Sequence, residues 1–385
     1  MKPLSQALAE LGLAGRLEIL PVQSGYPSPK QVNLVLLRRD GATLLFESSA
    51  ATDEIVRDVH AGLDAHAVGR LDALLVTHCH GDHAGSAGII AGRGRTGGDR
   101  APIYLHSSGY RFLTHPSAAF LQETYDIFLT RAQWGLLAYD ALSEEDMIEH
   151  ALRKRFACYF ARTPRSALRF VDKGQLPDSI IAIPTPGHSG DCVLYYDEEL
   201  RVAVPGDTII CTGAVDKPET HSYVIPIFTV TGQMYSMAWE NYLETIRVLR
   251  RFFSTHEVRA VLPPHGKFAV TEPLEWVAFA ERYFEGIYRA LLEGFLGDPA
   301  RRSTPFHACD LTPHIPNAGA HPISTPSHVF GMLCALADEG FLDLSEDAHT
   351  RQITFRVLAT PPKDYVTRRL FEEPGQVTVY RKLAR

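Results

Sequence analysis

Two hydrophobic patterns alternate along the chain. Short runs rich in Leu, Ile and Val, bounded by Gly, Pro or charged residues, are typical of buried strands. Between them, apolar residues recur at helical spacing, as Trp239, Tyr242, Ile246 and Leu249 do within 236–254. This alternation is typical of an α/β protein. The predicted strands are 16–22, 31–37, 43–47, 71–76, 103–106, 179–184, 193–196, 202–204 and 258–262, and the helices between them are 53–67 and 236–254.

Composition restricts the class of protein. A length of 385 residues suggests two domains, or one large domain with additions, and 45% hydrophobic residues are ordinary for a globular chain. The net charge of −7 argues against a general nucleic-acid binder, because phosphate contacts need a basic surface. The six cysteines are scattered, which suggests a reducing compartment. Without a signal-like start or an apolar run of about eighteen residues, we expect a soluble, cytoplasmic protein with no membrane partner.

The stretch 77–83, Thr-His-Cys-His-Gly-Asp-His, directly follows the predicted strand 71–76. Three imidazoles and a carboxylate so close together are hard to explain by packing, because unpaired Asp is almost never buried. A tight turn after a strand brings such side chains toward one point. Neutral imidazole and carboxylate suit zinc, and also iron or manganese. We therefore interpret this stretch as part of a metal site.

The pattern His78-x-His80-x-Asp82-His83 resembles that of the metallo-β-lactamase superfamily. The resemblance covers about residues 15–270 and implies an αββα sandwich with one or two metal ions at one edge. It also implies three later ligands at strand ends: a His, a bridging Asp and a last His. The chain offers them in that order as His188 in Thr-Pro-Gly-His-Ser, Asp207 in Pro-Gly-Asp-Thr and His265 in Pro-Pro-His-Gly.

By this resemblance the site holds two divalent ions, with zinc expected first and iron or manganese as alternatives. The ions would share a hydroxide, because metal binding lowers the pKa of water toward neutrality, and this hydroxide would attack a carbonyl or phosphoryl centre. Asp82 would also act catalytically, by orienting the nucleophile or passing on a proton. One ion would be held by His78, His80 and His188, the other by Asp82, His83 and His265, and Asp207 would bridge them.

Two positions depart from familiar members of the superfamily. The strand 43–47 ends in Glu47-Ser48-Ser49-Ala50, where the family often has Asp-x-Gly. The bridging position is Asp207, whereas penicillin-degrading members with one cysteine ligand have Cys there, which argues against a β-lactamase that destroys antibiotics. Cys79 and Cys211 are therefore interpreted as small core residues.

The region 109–172 is longer than the family's minimal plan and strongly aromatic. It is predicted to be a helical insertion with its own small core, and it would also form an apolar wall for a substrate if it covers the metal cleft. Residues 213–236 are predicted to be a loop beside the cleft, from which His221 and Tyr223 are candidate substrate contacts. The predicted helices of the insertion are 120–130, 133–142 and 144–160.

Beyond the domain 1–270, residues 271–385 are predicted to form a separate C-terminal module. Helices at 275–295 and 326–339, then Gly-Phe-Leu-Asp-Leu and a strand at 351–358, resemble the second half of a winged helix. A winged helix suggests nucleic-acid binding, but it is as often a dimerisation or lid element, and the acidic net charge favours the latter role. A homodimer is therefore expected to be possible, with nucleic acid disfavoured as a partner.

Three activities fit these residues. The first is hydrolysis of a small ester, thioester or lactone, resembling glyoxalase II and the lactonases, although Ile210 stands where acyl-homoserine lactonases often have Tyr. The second is a phosphodiesterase or ribonuclease, which would need a basic groove, for which only Arg247, Arg250 and Arg251 or the loop around Arg93 are available. The third is an iron-dependent redox protein similar to persulfide dioxygenases. The related flavodiiron type is disfavoured, because it usually has Glu at the position of His80.

Overall fold

The structure is a computed structural model that describes most of the chain. The described residues are 1–26, 29–39, 41–94, 99–115, 129, 131–135, 160–229, 233–302, 304–315, 324–371 and 377–382. Sixteen strands lie in these ranges: Lys2–Pro3 (β1), Leu17–Gln23 (β2), Gln31–Arg39 (β3), Ala42–Phe46 (β4), Ala73–Leu75 (β5), Ile103–Leu105 (β6), Leu168–Phe170 (β7), Ile180–Pro184 (β8), Val193–Asp197 (β9), Val202–Val204 (β10), Ile210–Ala214 (β11), Lys217–Val224 (β12), Ala260–Val261 (β13), Phe268–Ala269 (β14), Leu342–Glu346 (β15) and Ile353–Val357 (β16). The helices of seven or more residues are Leu4–Glu10 (α1), Asp53–Ala65 (α2), Tyr235–Thr255 (α3), Pro273–Leu291 (α4), Ser324–Asp338 (α5) and Tyr365–Phe371 (α6).

The first sheet contains six strands in the order β2-β3-β4-β5-β6-β7, of which β4 to β7 are parallel. Alternate residues of β3 pack into two different hydrophobic cores, because successive side chains of a strand point to opposite faces. Leu34 and Leu36 pack on the outer face with Val59 of α2, whereas Val35 and Leu37 pack on the inner face. Both faces of this strand are therefore buried, which explains its continuous apolar run.

The second sheet has the order β13-β10-β9-β8, in which β8, β9 and β10 are antiparallel and β10 pairs with β13 in parallel. Side chains along its strands also point alternately to the two faces of the sheet. Tyr195 of β9 faces the core between the sheets, while Leu194 and Tyr196 face the core shared with α3. The layers are therefore helix, sheet, sheet, helix, and the predicted αββα sandwich is confirmed.

The C-terminal helices pack on the outer face of the second sheet. Trp239 of α3, Phe284 of α4 and Leu333 of α5 are fully buried in one continuous hydrophobic core with residues of that sheet. After α5, strands β15 and β16 form an antiparallel hairpin, and Phe306 bridges to Phe355 of β16. The predicted C-terminal extension is confirmed as helices followed by a hairpin, and its winged-helix-like character stays a prediction.

The structure contains several short elements that the sequence-based prediction lacks. Residues 213–236, predicted as a loop, contain β12, which forms an antiparallel hairpin with β11. The helix α1 and the strand β7 were not predicted, since both are short. The helices predicted at 120–130, 133–142 and 144–160 lie almost entirely outside the described residues. No helix in the described ranges combines the length and apolar character needed to cross a membrane.

Candidate metal centre

All seven predicted ligands follow the carboxyl ends of strands along one edge of the sandwich. Strands of both sheets end there, so residues that are far apart in sequence meet at the same edge. His78 and His80 follow β5, Asp82 and His83 lie in the helical turn Gly81–Ala84, His188 follows β8, Asp207 lies in the turn Gly206–Thr208 after β10, and His265 follows β13.

The first group consists of His78, His80 and His188. His78 Nε2 and His188 Nε2 each lie 3.0 Å from His80 Nδ1. Tetrahedral zinc with Zn–N distances of 2.0–2.1 Å separates its nitrogen ligands by about 3.3 Å. The spacing of these three nitrogens is therefore close to that of three ligands on one ion.

The second group consists of Asp82, His83 and His265. His265 Nε2 lies 3.2 Å from His83 Nε2 and 3.3 Å from Asp82 Oδ2, and His83 Nε2 lies 3.7 Å from Asp82 Oδ1. Two nitrogens and a carboxylate facing one point are a common ligand set for zinc, iron and manganese.

Asp207 lies between the two groups. Its Oδ1 is 3.3 Å from both His83 Nε2 and His265 Nε2, and its Oδ2 is 3.6 Å from His188 Nε2. Oδ1 is buried and makes no hydrogen bond within the described part of the chain. A buried carboxylate oxygen without a donor is costly, and a cation at this position would satisfy it. The donor set therefore fits divalent metal ions.

Contacts behind the imidazoles fix their orientation. A carbonyl oxygen only accepts, so a ring nitrogen facing it carries the proton and leaves the other nitrogen free to bind a metal. The side chain of Asn33 also holds the turn that carries His265, because its Nδ2 donates to Gly266 O at 2.8 Å. The contacts to the rings are His188 Nδ1 to Ile227 O at 2.6 Å, His265 Nδ1 to Gln31 O at 2.7 Å and His78 Nδ1 to Thr77 Oγ1 at 3.2 Å.

Glu47 occupies the position where the family often has the Asp of Asp-x-Gly. Its side chain is fully buried, its backbone φ is 68°, and its Oε1 lies 3.3 Å from His83 Nδ1. It also accepts hydrogen bonds from the backbone N and the hydroxyl of Thr77. The longer acid thus reaches the centre from the end of β4, and the sequence marked this position only as a departure from the family pattern.

Two further residues that support the ligand-bearing turns, Gly187 and Asp191, were not identified from the sequence. Gly187 has a φ of 140°, and a Cβ there would lie 2.4 Å from Tyr242 Cδ2, so only glycine allows His188 its present approach. Asp191 is fully buried and accepts from Cys79 N at 2.8 Å and Ser189 Oγ at 2.7 Å. The Gly before His188 in the Thr-Pro-Gly-His motif was the available signal for the first of these.

The pKa values of the histidines differ between the two ligand groups. Burial and the neighbouring imidazoles hold the pKa of His78 well below 6.5, and burial together with His188 lowers the pKa of His80 to about 3. Burial alone would lower the pKa of His83, but the carboxylates of Asp82 and Asp207 raise it well above 6.5. The first group is therefore neutral without a metal, whereas the second holds a proton that a metal ion would displace.

The two candidate substrate contacts, His221 and Tyr223, each pack against an aromatic ring. The ring of His221 packs on Phe268 at 4.0 Å between centroids, and its Nε2 is bonded to Ala214 O in the same hairpin. Tyr223 packs against Phe279 at 5.5 Å. Among the described contacts, neither reaches any of the seven clustered residues. Cys79 and Cys211 are both buried, as expected for small core residues.

The comparisons with known proteins agree with this architecture. A family profile described as the metallo-beta-lactamase superfamily matches residues 27–256. No curated protein matches the chain. A metallo-beta-lactamase family protein from Thermus thermophilus is 22% identical, with 89% of this chain and 99% of that chain covered at a TM-score of 0.61. A beta-lactamase domain protein from Burkholderia ambifaria is 20% identical, with 90% and 94% covered at a TM-score of 0.60.

Proposed function

Since the chain belongs to the metallo-β-lactamase superfamily, whose members are generally metal-dependent hydrolases, we propose that it cleaves a small ester, thioester or lactone with two bound divalent ions. The ligands proposed for the ions are those of the two groups described above, with Asp207 between them. Zinc is the proposed metal, because three imidazoles at the spacing of the first group suit it.

One observation carries this proposal: a single carboxylate, Asp207, faces both ligand groups, with one oxygen toward His188 and the other toward His83 and His265. A shared carboxylate at this place gives two ions a common ligand. Paired divalent ions acidify water and polarise the oxygen of a carbonyl group, which supplies hydrolysis without a nucleophile from the protein.

The chain's own residues then have distinct roles. His80 and His188 would hold the first ion, because their lowered pKa values keep them neutral and leave their nitrogen lone pairs available. For Asp82, which lies beside His83 and His265, we propose a second role besides binding, which is to orient the attacking water or to pass on a proton. The carboxylate of Asp207 keeps the two groups at a fixed separation.

Two arginines that could supply the basic groove of a phosphodiesterase are paired within the protein, which supports an uncharged ester over a phosphodiester as the substrate. Arg250 donates to Glu281 and to Leu370 O, and Arg247 donates to Glu244 and to a backbone carbonyl. These arginines were the main source of a basic groove in the sequence, and both are occupied within the protein. A small neutral substrate does not need such a groove.

The cellular setting is proposed from the cysteines. The five described cysteines are all free, and four of them are buried. Free buried thiols suit a reducing environment, so we propose that the protein works in the cytoplasm. We also propose that the C-terminal module forms a homodimer, which the molar mass of the protein in solution tests.

The test combines metal analysis with a substrate panel. The protein as purified is expected to contain two equivalents of zinc and to hydrolyse a thioester or a lactone, and His80→Ala is expected to lose this turnover. A variant of an exposed histidine, His349→Ala, is the matched control. Turnover of a phosphodiester alone, or a purified protein that holds iron and oxidises a persulfide, would refute the proposal.

A further inference from the structure

The segment 226–229 forms one wall of the first ligand group. Ile227 O accepts from His188 Nδ1 at 2.6 Å, and Thr229 N donates to His188 O at 2.9 Å. The hydroxyl of Thr229 lies 3.4 Å from His80 Nε2. This segment therefore contacts the outer nitrogens of two proposed ligands, which are the atoms that set the direction of an imidazole.

The same segment is hydrogen-bonded on its other side to helix α5 of the C-terminal module. His328 Nε2 lies 2.6 Å from Pro226 O, and Phe228 N donates to Ser327 Oγ at 3.1 Å. Residues 225–229 belong to no strand or helix, so their position depends on contacts of this kind.

Close packing accompanies these bonds. The ring of Phe228, which is fully buried, lies 4.5 Å from the ring of His328 between centroids. A Cβ on Gly331, one turn further along α5, would lie 3.2 Å from Phe228 Cδ2. Ser327, His328 and Gly331 thus share one helix face, and the absence of a side chain at Gly331 lets the ring approach the helix.

The protonation of His328 follows from its partners. Pro226 O only accepts, so His328 Nε2 carries the proton and donates. His328 Nδ1 then accepts from the hydroxyl of Tyr283, which lies 2.8 Å away on α4. The ring is fully buried and hydrogen-bonded at both nitrogens, so it cannot turn without breaking two buried hydrogen bonds.

We propose that Ser327 and His328 are positioning residues of the metal centre, which orient His188 through segment 226–229. The proposal rests on the metal-dependent function given above. It makes α5 part of the support of the ligand set, although this helix lies outside the region 27–256 that the family profile matches. The C-terminal module would then be required for tight binding at the first ligand group, in addition to its contribution to the core.

The test measures metal affinity and the geometry of the bound ion. His328→Phe keeps a buried ring but removes the hydrogen bond to Pro226 O. The Zn²⁺ affinity of the first ligand group is expected to fall about 10- to 100-fold. Bound Co²⁺ should show an altered visible spectrum. His328→Gln retains an N–H donor near Pro226 O and is expected to recover part of the affinity and of the wild-type spectrum.

Leu333→Ala is the matched control, because Leu333 is fully buried in α5 on a different helix face from His328. It is expected to lower the melting temperature while Zn²⁺ affinity and the Co²⁺ spectrum stay as in the wild type. Equal loss of affinity in Leu333→Ala and His328→Phe would overturn the positioning role.

The two proposals fail in different ways. If the wild type binds no Zn²⁺ or Co²⁺, the proposed function is refuted and this inference falls with it. If the wild type binds two ions and His328→Phe binds both with unchanged affinity and an unchanged Co²⁺ spectrum, the positioning role alone is refuted.

Discussion

Replacing Glu47 by Gln tests how the second ligand group is held. The change keeps the shape of a fully buried side chain and removes its negative charge. Glu47 accepts from the backbone N of Thr77 and from its hydroxyl, and its Oε1 lies 3.3 Å from His83 Nδ1. An amide has only one accepting oxygen, so one buried donor of Thr77 loses its acceptor in either orientation.

Replacing Glu47 by Gln should have two effects, one on the stability of the fold and one on metal affinity. A buried donor left without an acceptor costs about 1–3 kcal/mol of the free energy of unfolding. Loss of a carboxylate behind a metal-binding imidazole weakens the metal about 10- to 100-fold, which is about 1.4–2.7 kcal/mol of binding free energy. The loss should be larger for the group that contains His83, because Glu47 reaches His78 of the other group only through Thr77.

The assay pairs denaturant unfolding of the metal-free protein with a two-site Zn²⁺ titration. The unfolding midpoint should fall at an unchanged slope, and one of the two binding constants should weaken. Glu198→Gln is the control for the loss of one negative charge, because Glu198 is exposed and pairs with Arg381. Wild-type affinity at both sites in Glu47→Gln would refute the idea that this carboxylate orients His83.

Three further outcomes are expected. His80→Ala should lower turnover at least about 1,000-fold, because the ion it would hold activates the attacking water, while the melting temperature of the metal-free protein changes by only a few degrees; retained turnover would exclude this cleft as the active site. In the metal-free protein the carboxylates raise the pKa of His83 well above 6.5, so their attraction stabilises the fold below about pH 6.5 and is lost as pH rises through the raised pKa. Zn²⁺ must displace that proton, so the rise in melting temperature on adding Zn²⁺ should grow from about pH 6 to about pH 8, and an increment independent of pH would contradict this assignment. Gly187→Ala should destabilise the protein by about 1–3 kcal/mol in denaturant unfolding and weaken Zn²⁺ binding, because the added Cβ meets Tyr242 at 2.4 Å; an unchanged Zn²⁺ affinity would show that the position of His188 does not depend on this contact.

Much of the sandwich was predictable because its strands carry strong local patterns. Runs such as Gln31–Arg39 and Val193–Asp197 are apolar on both faces, and the helix Tyr235–Thr255 keeps one apolar stripe over its whole length. The hairpin of β11 and β12 was missed because Lys217–Val224 is mostly polar. Its strand form depends on pairing with Ile210–Ala214, which is not a property of either segment alone.

In the candidate site, the proposed ligands were predictable from the sequence, but the residues that support them were not. The sequence marked His188, Asp207 and His265 because the first motif resembles that of a family that has further ligands at later strand ends. It gave no sign of Glu47 as a partner of His83, or of Asn33 behind His265, since glutamate and asparagine occur throughout the chain. His328 looked like any other histidine outside the motif, and only its packing shows that it is buried and bonded on both sides.

The sequence by itself determined which side chains are available for metal chemistry and that each follows a strand, because residue type and local hydrophobic pattern are written along the chain. The tertiary structure decided which of these side chains lie close together, which carbonyls face His188 and His265, and that α5 contacts segment 226–229 from about a hundred residues away in sequence. These are contacts between segments distant in sequence, and they arise only when the two sheets close on one core and the C-terminal helices pack against the second sheet.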